Sequence, residues 1–123
     1  MAINSAQDGL LDMLNWFQAA DDPHHLKGMI RMPAPNRFEL KPVGLAQQFM
    51  QAHWLDQVQR MDNSAFEVDA LAMARQRQRS ILGVNKGTRL QHVSLSGAAG
   101  ACPALTLFGP DSRSRTMQAT CSG

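Results

Sequence analysis

Residues 64–89 read SAFEVDALAMARQRQRSILGVNKGTR, and the interpretation of the whole chain depends on this stretch. Ser64 and Glu67 have the spacing of a capping box, in which two side chains satisfy free backbone donors at the start of a helix. Apolar residues then recur at steps of three and four, without an interior proline or glycine. We therefore expect a helix that begins at Ser64 and ends at Gly83. Its apolar face comprises Phe66, Ala70, Met73, Ala74 and Ile81.

Three segments upstream also have helical patterns. Residues 5–20 predict an amphipathic helix, Pro23–Met32 a short and weak one, and residues from Pro42 to about Met61 a third. An extended connector, PAPNRFELKP, separates the last two, with Phe38 and Leu40 as its anchors. The large apolar residues of the first helix are Leu10, Leu11, Met13, Leu14, Trp16 and Phe17. Those of the third are Leu45, Phe49, Met50, Trp54, Val58 and Met61.

The last third of the chain is poor in large residues. Between residues 83 and 123, 20 of 41 residues are Gly, Ser, Ala or Thr. Two apolar islands remain, at Leu90–Leu95 and Ala104–Phe108, which suit docking segments of an extended tail or a simple two-stranded ribbon. We expect a mainly α protein: a small helical bundle or helical hairpin over residues 1–83, then an extended, largely irregular tail over 84–123.

Charge is distributed unevenly along the chain. Residues 1–74 carry five Lys or Arg and nine Asp or Glu, whereas residues 75–123 carry seven and one. Such a division suits contacts between copies, a basic tail on an acidic surface, or an end that faces nucleic acid. The residues that would contact nucleic acid are Arg75, Arg77, Arg79, Lys86 and Arg89.

Motifs for catalysis or cofactor binding are absent from the sequence. It contains no GxxxxGK[ST], GxGxxG, GxSxG, HExxH or CxxC, and its four histidines are scattered. His24 and His25 are adjacent, so on a helix they would point about 100° apart, a poor geometry for one metal. Cys102 and Cys121 could form a disulfide. No histidine lies near Cys102 in sequence, which argues against a nucleophilic cysteine. We expect a protein that is not an enzyme, without cofactor or metal.

The N-terminal residues MAINSAQDGLLDML have no basic n-region, and Asp8 and Asp12 interrupt the apolar residues. This pattern argues against a signal peptide and a membrane span, so we expect use without Sec export.

A resemblance to a known family covers residues 75–109. An Arg/Gln-rich segment leads into RSILGVNKGTRL, and a small-residue spacer then precedes an apolar island that ends in glycine, Leu105–Gly109. This order resembles the tails of small virion proteins of short-tailed bacteriophages, with an RSILTG-like turn and a KTLLG-like end. The resemblance implies a helical, multi-copy component of the portal, tail or internal core. It also implies contacts with other virion proteins and the packaged genome, a location in the virion or host cytoplasm, and no catalytic residues.

The sequence thus favours a structural or interaction protein, a subunit of a homo- or hetero-oligomeric assembly that docks through apolar helix faces and its tail. The alternative is a small nucleic-acid-binding protein, and a helical regulator of a partner enzyme shares the same features. The predicted protein-interaction residues are Leu10, Leu14, Trp16, Phe17, Phe49, Met50, Trp54, Leu105, Leu107 and Phe108.

Overall fold

The computed structural model describes residues 3, 6, 9, 13, 18–96, 103–111 and 113–118. Over these residues the protein is mostly β, with one helix of defined bounds and three small antiparallel sheets. The prediction of a mainly α, helical protein is therefore wrong. The elements are β1 Ile30–Ala34, β2 Arg37–Leu40, α1 Pro42–His53, β3 Gln57–Gln59, β4 Val68–Arg75, β5 Gln78–Asn85, β6 Ala104–Phe108 and β7 Ser114–Gln118.

The stretch predicted as the central helix forms the β4–β5 hairpin instead. Val68–Arg75 pairs in full with Gln78–Asn85, and Gly83 lies inside β5 rather than beyond a helix end. Leu71 and Met73 are 0% and 1% exposed. Side chains two apart lie on the same face of a strand, so Leu71 and Met73 share one face, and Val68 and Ala70, 8% and 7% exposed, lie on the opposite face. In this sequence, positions 70, 73, 74 and 81 fit a helical period, and positions 71 and 73 fit a strand period. The pairing with β5 decides between the two.

The residues that resemble a capping box precede a strand. Asn63 accepts a hydrogen bond from the backbone N–H of Ala65 at 2.9 Å and donates one to the carbonyl of Val68. The carbonyl of Glu67 accepts from the backbone N–H of Lys86 at 2.8 Å. An asparagine side chain thus supplies the local hydrogen bonds here, which is common in turns.

The third predicted helix begins at Pro42, as expected, but ends at His53. Downstream, Gln57–Gln59 forms β3 and pairs antiparallel with Ala72–Ala74 of β4. The prediction of a helix to Met61 is wrong beyond residue 53 because β4 offers those residues a hydrogen-bonded sheet edge. A local pattern carries no information about that edge.

The short helix predicted over Pro23–Met32 is also wrong. The backbone of this segment bonds to residues 19–21: Ile30 N–H donates to the Ala19 carbonyl at 3.0 Å, and Asp21 N–H to the Ile30 carbonyl at 2.8 Å. A Cβ built on Gly28 would lie 2.4 Å from backbone atoms of residues 20 and 21. Gly28, which weakened the helical pattern, is thus the residue that allows this close approach.

The segment predicted as an extended connector between the second and third helices belongs to the β1–β2 hairpin. Ala34 pairs with Arg37 across the loop residues Pro35 and Asn36, and the φ of Asn36 is 61°. Proline followed by an asparagine with positive φ matches the central positions of a type II turn.

The tail contains a second two-stranded sheet. Ala104–Phe108 pairs antiparallel with Ser114–Gln118, so the expectation of a largely irregular tail is wrong for these residues. Residues 90–96 form no strand and are mostly exposed. The helix predicted over residues 5–20 lies, apart from isolated positions, outside the described residues, and its last residues, 18–20, are not helical.

The chain divides into two compact units. The first comprises residues 1–15 and 52–95 and contains β3, β4 and β5; the second comprises residues 16–51 and 96–123 and contains the two hairpins and nearly all of α1. Every buried hydrophobic side chain of the described residues belongs to the first unit: Ile3, Leu55, Val68, Ala70, Leu71, Met73 and Leu82.

Candidate interaction surfaces

The β1–β2 hairpin has one charged and one apolar face. Glu39 accepts a hydrogen bond from Arg31 at 2.9 Å and forms an ion pair with Arg37 at 2.7 Å, which places these three side chains on one side. Phe38 and Leu40 alternate with them along β2 and therefore point to the other side. Phe38 is 68% exposed and Leu40 44%. The anchors that the sequence indicated in this segment thus lie on an open apolar face.

The β6–β7 hairpin separates residues that the sequence grouped together. Phe108 contacts Phe49 of α1, with ring centroids 5.4 Å apart and planes tilted by 31°. Such a pair contributes about 0.5–1.5 kcal/mol beyond the area it buries. Leu105 and Leu107 occupy the alternate face of β6 and are 41% and 44% exposed. Phe108 and Phe49 are thus used inside the second unit, whereas Leu105 and Leu107 are available to a partner.

A half-buried ion pair fixes the loop before β1. Lys41 Nζ lies 3.0 Å from Asp21 Oδ1, and the two side chains are 23% and 14% exposed. Lys41 also donates to the Leu26 carbonyl at 2.7 Å, and Asp21 accepts from the backbone N–H of Gly28 at 2.8 Å. Twenty residues separate the two charged groups in sequence, so no local pattern indicated this pair.

The five basic residues assigned to nucleic-acid contact do not form one patch. The strand rise places Lys86 about 24 Å from Arg79 along β5. Lys86 pairs with Asp69 at 2.9 Å and lies over the ring of Phe66, 5.2 Å from its centroid. Arg89, farther along the chain, is exposed, and its carbonyl accepts a hydrogen bond from the Asn85 side chain at 2.8 Å. The basic segment is therefore divided between the two ends of the hairpin.

Arg75 also has an internal partner. Its guanidinium donates to the carboxylate of Asp56, which holds the pKa of Asp56 below its usual value. The pairs Arg75–Asp56 and Lys86–Asp69 each join an acidic residue of the segment 1–74 to a basic residue of the segment 75–123. Folding thus brings the acidic and basic portions of the sequence together within the first unit, where they partly neutralise each other.

Arg77 and Arg79 differ from these two residues. Both are exposed, and neither has an ion-pair partner among the residues that the structure describes. Arg77 lies in the turn and Arg79 pairs with Ala74 at the end of β5.

The remaining predicted interaction residues divide into two groups. Met50 and Trp54 are half-buried on and just after α1. Of the large apolar residues predicted for the N-terminal helix, all but Met13 lie outside the described residues: Leu10, Leu11, Leu14, Trp16 and Phe17. Cys102 and Cys121 also lie outside them.

The histidines show one local contact. Asp22 accepts hydrogen bonds from the backbone N–H groups of His24 and His25, both at 2.8 Å, and its carboxylate lies 3.1 Å from the His25 ring. The backbone hydrogen bond from His24 is the main cause that lowers the pKa of Asp22. Over the described ranges, His, Cys, Asp and Glu form no group of three or more that could hold a metal ion. Within the same ranges, no helix has the length and apolar character needed to cross a membrane.

No family model, no curated protein and no solved structure matches this chain. The resemblance to phage virion proteins over residues 75–109 therefore stays a prediction.

Proposed function

We propose that this chain is a non-enzymatic interaction protein, one subunit of a larger protein assembly, and that its second unit provides the surface for the partner. The partner contacts the apolar face of β1–β2 and the Leu105–Leu107 side of β6–β7. These are sheet faces, whereas the sequence indicated helix faces and an extended tail.

The exposed apolar side chains of the second unit carry this proposal. Six large ones are at least 41% exposed: Leu26, Met32, Phe38, Leu40, Leu105 and Leu107. Single exposed apolar residues are normal on protein surfaces, but five of these six lie on the faces of two small sheets, and Leu26 precedes β1. A two-stranded sheet is marginally stable in water unless its apolar face is covered. A partner that covers these faces would stabilise both hairpins.

Side-chain burial alone would not hold the partner. Fully burying a Leu or Phe side chain contributes about 1.5–3 kcal/mol, and these side chains are already partly covered. Phe38, Leu105 and Leu107 together would therefore contribute about 3–4 kcal/mol, at or below the cost of about 4–15 kcal/mol for association. The interface needs further contacts.

The edge of β6 supplies such contacts. Its sequence, ALTLF, contains no charged residue and no proline, which are among the usual means of protecting an exposed strand edge. Because the β6–β7 sheet has two strands, β6 pairs with β7 along one edge only. A partner strand added to the other edge would gain backbone hydrogen bonds while Leu105 and Leu107 fill its apolar pockets.

Site-specific photo-crosslinking in cells that make the protein, combined with light scattering of the purified chain, tests the proposal. A photoreactive residue is placed at Phe38, Leu105 or Leu107, with Phe66 as the matched control because it is 86% exposed but lies in the first unit. We expect one defined protein adduct from the three sites and none from the control. Light scattering then shows whether the adduct is a second copy. Equal adducts from all four sites, or none from any, would refute the proposal.

A further inference from the structure

The tip of the β4–β5 hairpin is short and strongly basic. Residues 75–79, RQRQR, are all exposed, and β3 pairs with β4 only as far as Ala74. The tip thus extends beyond the three-stranded sheet by the pair Arg75–Gln78 and two loop residues. Gln76 has a φ of 53° at the first loop position, where a type II′ turn takes a positive φ. The pairing of β4 with β5 sets the backbone positions of Arg75 and Arg79, and Arg77 lies in the turn between the two strands.

Only two of the three arginines have their charge available. Asp56 neutralises Arg75, whereas Arg77 and Arg79 have no acidic partner among the described residues. Arg79 lies opposite Ala74, whose methyl group cannot accept a hydrogen bond. An uncompensated charge of about +2 therefore remains on the tip.

We infer that Arg77 and Arg79 bind the phosphate backbone of nucleic acid and do so without reading its sequence. Guanidinium groups match the geometry of phosphate oxygens, and glutamine amides also donate to phosphates and sugars. Arg77 and Arg79 lie two residues apart, with Gln76 and Gln78 beside them. This arrangement suits a polymer with regularly repeated anionic groups better than it suits the scattered carboxylates of a protein surface. This activity is separate from the protein-binding surface of the second unit.

The shortness of the tip excludes base recognition. The major groove of DNA is about 8.5 Å deep, and the side chains that read bases normally come from a helix or a long ribbon that enters it. The tip extends beyond the sheet by only one residue pair and a two-residue loop. The three-stranded sheet therefore cannot enter the groove behind it. The contacts are therefore with the backbone, and the affinity is independent of base sequence.

The number of contacts sets the salt dependence. Two neutralised phosphates give a slope of log K against log salt of about −1.8 on duplex DNA. Raising the salt concentration from about 50 to about 200 mM should then weaken binding about 12-fold. Lys86 and Arg89, at the other end of the hairpin, would not add to this slope.

Fluorescence anisotropy with a labelled DNA duplex of mixed sequence, titrated at several salt concentrations, tests the inference. The double variant Arg77→Gln/Arg79→Gln should bring the slope close to zero. Asp56→Asn should release Arg75 and steepen the slope to about −2.7, a gain that loss of folding cannot produce. The matched control is Arg113→Gln, because Arg113 is exposed and lies outside the hairpin, in the second unit.

Circular dichroism melting establishes that each variant is folded. A slope that the double variant leaves unchanged, or an equal loss in the Arg113→Gln control, would overturn the inference. Polyglutamate serves as the competitor for the other class of partner. If it displaces the duplex at equal charge concentration and its own binding depends on Arg77 and Arg79, the tip recognises acidic proteins, and the assignment to nucleic acid is wrong.

Discussion

Replacing Leu71 by alanine is expected to destabilise the first unit more than any other single truncation in the β4–β5 hairpin. Leu71 is 0% exposed and pairs with Leu82 across the hairpin. In the helix that the sequence indicates, Leu71 is not on the apolar face, whereas Ile81 is. In the sheet Ile81 is 43% exposed. The two variants therefore distinguish the two arrangements of one sequence.

The expected magnitude follows from the atoms removed. The substitution deletes about three buried carbon groups at about 0.8 kcal/mol each, and incomplete closure of the cavity raises the total to about 3 kcal/mol. Ile81→Ala removes a side chain that is already about half in water, so its cost is about 1 kcal/mol. With a shift of about 4 °C per kcal/mol, Leu71→Ala should lower Tm by about 12 °C.

Urea denaturation followed by circular dichroism and by tryptophan fluorescence measures both costs. Trp54 belongs to the first unit, which contains the β4–β5 sheet, whereas Trp16 belongs to the second. The double variant Leu71→Ala/Leu82→Ala should cost less than the sum of its single variants because the two side chains share one buried face. A cost of Ile81→Ala equal to or greater than that of Leu71→Ala would refute the sheet register.

Three further predictions concern the second unit and the acid side of the pH profile. Gly28→Ala should cost at least about 2 kcal/mol in urea denaturation because the new Cβ would lie 2.4 Å from backbone atoms, whereas Gly83→Ala, whose nearest neighbour is 4.0 Å away, should be neutral or stabilising. Lys41→Met should cost about 2 kcal/mol, since it leaves the carboxylate of Asp21, 14% exposed, without its ammonium partner; an unchanged urea midpoint would contradict this. The pKa of Asp56 is lowered in the folded state by the arginine hydrogen-bonded to it, so its contribution is fully present above about pH 4 and is lost as the pH falls through the lowered pKa. The Tm of Asp56→Asn, measured from pH 5 to pH 2, should therefore fall less with decreasing pH than the Tm of the unsubstituted protein. An equal fall in both proteins would contradict the Arg75–Asp56 pair.

Local features of the sequence predicted some elements correctly. Pro42 marks the start of α1, since proline is suited to the first turn of a helix. The apolar run Ala104–Phe108 is a strand, but the two-stranded ribbon kept open as an alternative joined it to Leu90–Leu95, which forms no strand; its partner is Ser114–Gln118. In each case the deciding information lies within about ten neighbouring residues.

The candidate surfaces were only partly predictable. The sequence indicated Leu105, Leu107 and Phe108 as one group, but strand alternation places Phe108 on the opposite face, where it contacts Phe49 of the same unit. It also indicated five basic residues as one segment. The hairpin divides them between two ends, and internal carboxylates neutralise two of them, Arg75 and Lys86.

By itself, the sequence determined the number of apolar and charged side chains and the start of one helix. Tertiary structure decided which side chains of residues 64–89 are buried, because the segment VDALAMAR satisfies both a helical and a strand period. Pairing with β5 and with β3 selects the strand, and the residues of β3 lie 13 to 17 positions upstream of their partners in β4. The same pairing brings Asp69 to Lys86 and Asp56 to Arg75, converting a charge division along the chain into contacts within one unit. Backbone hydrogen bonds between segments distant in sequence determine this outcome, and local periodicity does not encode them.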